Sequence, residues 1–306
     1  MLAVKNLQKA FGPLLAVRGV SFEADKGEVL GFLGPNGAGK TTTMRMITGF
    51  LPPTSGTAVI NGHDIGESPR EAKKQIGYLP ENAPVYGEMT VWSYLAFIAE
   101  IRAFTGSARN KRVDETIETC RLNKVKHQAI GTLSKGYRQR VCFAQALLHD
   151  PPVLIMDEPT DGLDPNQKHI VRTMISEMAA RKTIVISTHI LEEVEAVCTR
   201  VIIICNGALI ANGSPAELKA KSRLHGAVEA TFRTLNQDIL TKIKQLASAA
   251  GTTADGNTVT VLPRDAARLF QEMTELARAN PEWPITGLRT LEGKLDDVFR
   301  ELTGGR

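Results

Sequence analysis

The sequence predicts an α/β fold with a largely parallel central sheet, followed by a second, smaller α/β domain. Three observations carry this. The run Glu28-Val29-Leu30-Gly31-Phe32-Leu33 is apolar almost throughout, as a strand buried on both faces has to be. It leads into a glycine-rich loop and then a helix-like stretch over residues 40–49. Residues 153–156 and 183–187 are further short apolar runs, each followed by a helical segment, at 166–180 and 190–198. Strands alternating with helices in this way favour parallel pairing with helices covering the sheet.

Taken in order, residues 2–6, 16–23 and 28–33 read as strands, punctuated by Gly12-Pro13 and Lys26-Gly27. Residues 52–66 are turn-rich. Residues 68–130 are polar and read as mostly helical, with 91–104 the most apolar helix; the basic excess within 100–127 is the solvated face of a helical lobe. A further helix covers 134–148. Residues 201–205 and 208–211 make a hairpin about Asn206-Gly207, a dipeptide suited to a type I′ turn. The composition shifts near 221–226. Beyond it, strands at 227–233, 257–262 and 285–290 alternate with helices at 236–250, 265–279 and 294–303. The last helix sets Leu295, Val298, Phe299 and Leu302 on one stripe. The expected division is a domain over 1–222, with a helical subdomain at about 82–150, and an accessory domain over 223–306.

Composition narrows the class. Of 306 residues, 42% are apolar and 23% charged, which excludes a disordered, collagenous or coiled-coil chain. No stretch approaches the roughly 18 apolar residues of a membrane span, and the N-terminus lacks the pattern of a signal peptide. The expectation is a soluble chain that is not exported. A net charge of +4 with 5% aromatic residues is unlike a nucleic-acid binder. Cys120, Cys142, Cys198 and Cys205 lack metal-ligand spacing and read as small buried hydrophobes in a reducing compartment.

The most specific signal is Gly34-Pro35-Asn36-Gly37-Ala38-Gly39-Lys40-Thr41, a full match to GxxxxGK[ST] between a strand and a helix. Glycines permit a tight turn whose backbone N–H groups hold phosphate oxygens at a helix N-terminus. Lys40 supplies charge to the β- and γ-phosphates, and the Thr41 hydroxyl can ligate Mg²⁺. Val153-Leu154-Ile155-Met156-Asp157-Glu158 is an apolar strand ending in two carboxylates. Asp157 suits the magnesium shell. Glu158, expected to point the other way along an extended chain, can polarise an attacking water. Leu133-Ser134-Lys135-Gly136-Tyr137-Arg138-Gln139-Arg140 opens a helix, with Ser134 as its N-cap.

Together these segments resemble the nucleotide-binding subunit of an ATP-binding-cassette (ABC) transporter, over about residues 1–220. Residues 133–140 resemble its signature motif, Gly162-Leu163-Asp164-Pro165 its D-loop, and Ser187-Thr188-His189 its switch histidine. Tyr78-Leu79-Pro80-Glu81 sits at the place of its Q-loop, and Phe11 at that of an aromatic stacking on adenine. The resemblance implies a P-loop cassette with a RecA-like core, an antiparallel β subdomain and a helical subdomain. It implies two copies closing head-to-tail around two ATP. Gly34, Pro35, Asn36, Gly37, Ala38, Gly39, Lys40, Thr41 and Thr42 would hold nucleotide in one copy, with Lys40, Glu158 and His189 catalytic. Thr41, Asp157 and Glu81 would hold Mg²⁺, while Ser134, Gly136 and Asp164 would reach the γ-phosphate from the other copy. Integral-membrane permease subunits would be separate chains holding the transported substrate. No nucleic acid is implied, and the location would be the cytoplasmic side of the cell membrane. His63, His127, His149, His169 and His225 carry no such role.

Departures from the family pattern are informative. Lys135 and Tyr137 replace the signature's inner glycine and its glutamine, and Glu81 replaces the Q-loop glutamine, so that it can accept but not donate. Phe11 in place of tyrosine keeps the stacking face. With the segment over 291–303, these features resemble the ABC-2-type subgroup, mostly exporters. Soluble ABC ATPases acting on DNA or ribosomes usually carry two cassettes or a coiled-coil insertion, and this chain carries one cassette. A scaffold with a dead site is opposed by intact Lys40, Asp157, Glu158 and His189.

Overall fold

The chain starts with a hairpin, β1 (Leu2–Phe11) and β2 (Leu14–Ala24), turned at Gly12-Pro13. In this computed structural model, residues 1–82 and 85–304 are described. β3 (Val29–Leu33) and α1 (Lys40–Ile47) follow, then β4 (Ser55–Ile60), β5 (His63–Asp64), α2 (Pro69–Lys74) and β6 (Ile76–Leu79). The helical portion holds α3 (Val91–Ile101), α4 (Gly106–Thr119) and α5 (Lys135–Leu147). The remaining core elements are β7 (Val153–Asp157), α6 (Pro165–Ala179), β8 (Thr183–Thr188), α7 (Leu191–Val197), β9 (Arg200–Cys205) and β10 (Ala208–Gly213). The chain divides into two compact units, Met1–Asn212 and Gly213–Arg306.

In the first unit a six-stranded sheet has the order β10-β9-β3-β8-β7-β6, with β3 parallel to β8 and β9, and β7 parallel to β6 and β8. β3, β7 and β8 are buried at every position, as continuous apolar strands should be. β9 and β10 turn at Asn206-Gly207, both with positive φ. A four-stranded antiparallel sheet, β2-β1-β4-β5, shares the core through Leu2, Val4, Leu7 and Phe22, which join Leu30, Phe32, Met44 and Ile155 in one cluster.

Two strands lie where the sequence suggested otherwise. The turn-rich 52–66 contains β4, paired on β1, and β5, paired on β4; β4 is short and buries only Ala58 and Ile60, too little apolar signal to register. β6 falls inside the stretch read as helical. Its Gly77 is enforced by packing, because a Cβ there would lie 2.3 Å from the Ala146 carbonyl oxygen of α5. The interval 83–84, at the start of the expected helical subdomain, lies outside the described residues, as do 305–306.

The second unit holds α8 (Pro215–Lys219), β11 (Val228–Phe232), α9 (Gln237–Lys244), β12 (Ala249–Asp255), β13 (Thr258–Pro263), α10 (Ala266–Ala279), β14 (Ile285–Thr290) and α11 (Leu295–Thr303). Its sheet runs β12-β13-β11-β14, all antiparallel, the split β-α-β arrangement. Val228, Ala230, Phe232, Val259 and Val261 face Ile239, Ile243, Leu269 and Met273 in its core. The helix expected over 236–250 stops at Lys244, and β12 takes its end. Gly251 and the β-branched Thr252 and Thr253 disfavour helix, and a turn at Gly256, φ 54°, returns the chain onto β13.

Candidate active site

β3, β7 and β8 lie side by side in parallel, so the three loops leaving their C-terminal ends converge. In open parallel sheets that edge is where ligands bind. The first loop is Gly34 to Gly39. A Cβ on Gly34 would lie 2.5 Å from the Ile204 carbonyl oxygen, and Gly39 takes φ +102° with Ala16 O 2.8 Å from the place of a Cβ. Only glycine fits either position. Lys40, buried at 6% exposure, folds back over the loop. Its Nζ donates to Gly34 O at 2.8 Å and Pro35 O at 3.3 Å, and lies 3.4 Å from Glu158 Oε1.

The second loop begins at Asp157 and Glu158. Asp157 Oδ1 accepts from Thr41 Oγ1 at 3.2 Å and from Ser187 Oγ, while Oδ2 is buried without a protein partner. Burial pushes the Asp157 carboxyl up. A buried carboxylate oxygen left open beside a threonine hydroxyl fits a magnesium ion that takes its other ligands from phosphate and water. Glu158 corrects the expectation of an extended chain: it takes φ +49°, left-handed, and β7 ends before it. Its N–H donates to Ser187 O at 3.0 Å and lies 3.2 Å from Ser187 Oγ. The carboxylate thereby turns into the cleft, where Oε2 meets His189 Nδ1 at 2.9 Å. Glu158 thus bridges Lys40 and His189.

The cleft has a volume of about 650 Å³ and is lined by Asn36, Gly37, Gly39, Lys40, Thr41, Thr42, Glu81, Glu158 and His189, with Phe11, Leu14 and Ala16 on its apolar side. Phe11 is 47% exposed at the hairpin tip, with Lys9 Nζ 5.3 Å from its ring centroid. Pro35 and Ala38 shape the loop from outside that lining. Ser134, Gly136 and Asp164 do not line the cleft either. Ser134 is exposed and caps α5, accepting from Tyr137 N at 3.4 Å. Gly136 is buried, with the Gln167 side chain 2.6 Å from the place of its Cβ. Asp164 caps α6, accepting from Gln167 N at 3.0 Å. The Gln167 side chain on α6 thus packs against the start of α5, where only glycine leaves it room.

Sequence reasoning missed Leu14, Ala16 and Asp161 in the lining and Ser187 as a partner of Asp157. Leu14, a large apolar side chain beside a turn, was the one signal available; Ser187 is placed by the pairing of β7 with β8, and Asp161 by the turn in which its N–H donates to Glu158 O.

A phosphate loop, a strand-end carboxylate pair and a histidine on the next strand define a P-loop nucleotide-binding cassette. The ABC transporter family profile matches residues 17–161. The chain is 34% identical to the linearmycin resistance ATP-binding protein of Bacillus subtilis (strain 168), over 99% of this chain and 98% of that protein. It is 33% identical to the Nod factor export ATP-binding protein I of Ralstonia nicotianae, over 99% and 94% respectively. Among solved structures, an ATP binding subunit of an ABC transporter aligns at a TM-score of 0.66 with 32% identity, over 72% of this chain and 92% of that one. The chain belongs to the ABC transporter family, as an ATP-binding, ATP-hydrolysing subunit.

Proposed function

We propose that the chain is the motor of an ABC-2-type exporter, in which two copies enclose two Mg-ATP and drive separate transmembrane subunits. The observation that carries the chemistry is Glu158 held between Lys40 and His189 at the mouth of the phosphate loop. Arriving phosphates take over Lys40 from Gly34 O and Pro35 O, as charge-assisted bonds to phosphate are stronger than those to neutral carbonyls, and from Glu158, whose single charge they exceed. Glu158 is then free to accept a proton from the water that attacks the γ-phosphorus, as the bond to ADP breaks. His189 orients that carboxylate and senses the phosphate. Thr41 and Asp157 would hold magnesium, with Glu81 at the same cleft; when bound, the ion neutralises charge on the phosphate oxygens. Phe11 would stack on the base.

Ser134, Gly136 and Asp164 lie away from this cleft, which supports their acting on the nucleotide of a second copy. Export is supported by relatives matched along nearly their whole length whose names include resistance and export. Among the described residues no helix is long and apolar enough to cross a membrane, which fits a peripheral subunit at the cytoplasmic face. The contact with the membrane subunits is assigned to the region 82–105. There Tyr86, at 60% exposure, stands 6.0 Å from the Phe97 ring, and Ile101 is 64% exposed.

Glu158→Gln is expected to keep ATP binding, to lower turnover by about 10²-fold or more, the scale of a lost general base, and to accumulate an ATP-dependent dimer on gel filtration. Turnover at the wild-type rate would refute the assignment of the base.

A further inference from the structure

Glu193 lies near the start of α7, is 4% exposed and does not line the cleft. Its two oxygens are used separately. Oε1 accepts from Thr160 Oγ1, and Oε2 accepts from Thr188 Oγ1 at 2.9 Å. Thr160 follows Glu158 by two residues, and Thr188 immediately precedes His189. The Thr188 hydroxyl also accepts the N–H of Ile190 at 3.0 Å, so the backbone is tied on both sides of the histidine. Lys168 on α6 stands 3.8 Å from Oε1, and Arg172 and Lys168 are the cations that offset the buried charge.

A buried carboxylate is costly, and apolar replacements of buried ionic groups are often neutral or stabilising. Fold stability alone is therefore a weak reason for Glu193. Glu158, meanwhile, sits in a left-handed conformation that persists only where its surroundings over-determine it. Its N–H is held by Ser187 on one side, and the chain two residues later is held by Glu193 on the other.

We propose that Glu193 is a positioning residue that clamps the Glu158 loop to the His189 strand end, setting the rate of ATP turnover without contributing to nucleotide affinity. This rests on the reading of Glu158 as base.

The test uses the full chain, with Mg²⁺-dependent ATP turnover and fluorescent-ATP binding measured separately. Glu193→Ala, Thr160→Val and Thr188→Val are each expected to lower kcat by about tenfold or more, as a misplacement of roughly 1 Å can, while affinity changes by less than about twofold. Glu193→Gln retains one accepting oxygen and falls in between. In a His189→Ala background, Thr188→Val is expected to cost little more, because the imidazole it orients is gone. Equal proportional losses in both backgrounds, or affinity falling in step with kcat, would show a merely structural role and overturn the proposal. Should Glu193→Ala fail to fold, the two threonine variants decide. Threonine variants at the wild-type rate, with Glu158→Gln inactive, overturn the clamp alone; an active Glu158→Gln overturns the reading beneath it.

Discussion

The phosphate loop and the start of α5 are both helix N-termini, and they differ in what surrounds them. Around Lys40 one copy of the chain supplies nearly everything: loop carbonyls that hold the ammonium, the Thr41 hydroxyl, the Asp157 carboxylate, and Glu158 paired with His189. Around Ser134 the helix start is packed, Gly136 lying against the Gln167 side chain, but Ser134 itself is exposed and neither it, Gly136 nor Asp164 lines the cleft. A helix start held rigidly and left open suits a ligand brought by another molecule. The difference fits the proposal of a site completed by a second copy, with Lys40, Asp157 and Glu158 at the cleft and Ser134 outside it.

The strongest way to break that comparison is to separate the halves. Lys40→Ala is expected to weaken nucleotide binding by about tenfold or more, since a charge-assisted bond to phosphate is lost, as a fluorescent-ATP titration would read. Ser134→Arg is expected to leave that binding nearly intact and to abolish turnover. In a two-fold dimer, a mixed pair carries one site with both defects and one with neither. With Lys40→Ala also expected to lack turnover, a mixture of the two variants should regain ATPase activity. A mixture as inactive as its components would mean that Ser134 acts on its own copy's nucleotide, or not at all.

A smaller effect concerns the surface on which the motor would act. Tyr86→Ser with Phe97→Ser removes an exposed aromatic pair, so ATP turnover by the isolated chain should stay within about twofold, as for most surface substitutions. Recovery of transmembrane subunits in a pull-down should fall. Unchanged recovery would move the coupling surface away from residues 85–101.

The two halves were unequally legible in the sequence. The phosphate loop could be read outright, because its residue types answer local demands: Gly34 and Gly39 have no room for a Cβ, Lys40 carries a positive charge and Thr41 a hydroxyl. Central strands were equally plain, being apolar at every position. What could not be read was set by contacts distant in sequence. β6 is a strand because β7 pairs with it, although its own residues include Gly77. Glu158 turns inward through a left-handed bend made by Ser187, so alternation along an extended strand misjudged its direction. β12 exists because β13 folds back on it. Glu193 gave no signal at all, as one acid among several on an ordinary helix.

The smallest effect sharpens the comparison from the far end of α5, where the helix is anchored rather than open. His149, just beyond it, holds the Ile76 carbonyl of β6 through Nε2 at 3.0 Å, and its Nδ1 is buried without a partner. Burial, followed by the charge of Arg102, pushes its pKa down to about 4. The unfolded chain therefore binds this proton near pH 6.5, and the folded chain binds it only near pH 4. Between those values the unfolded state holds more protons, so stability falls as pH falls through the window and is unaffected by this group above it. Protonation would also place an N–H at Nδ1 with nothing to receive it. His149→Gln keeps an amide donor for Ile76 and removes the titration. It should flatten the loss between pH 7 and 4.5 by on the order of 1 kcal/mol, allowing for partial exposure. Urea midpoints at the two pH values give the answer, and parallel losses in wild type and variant would mean that the anchor at this end of α5 does not titrate.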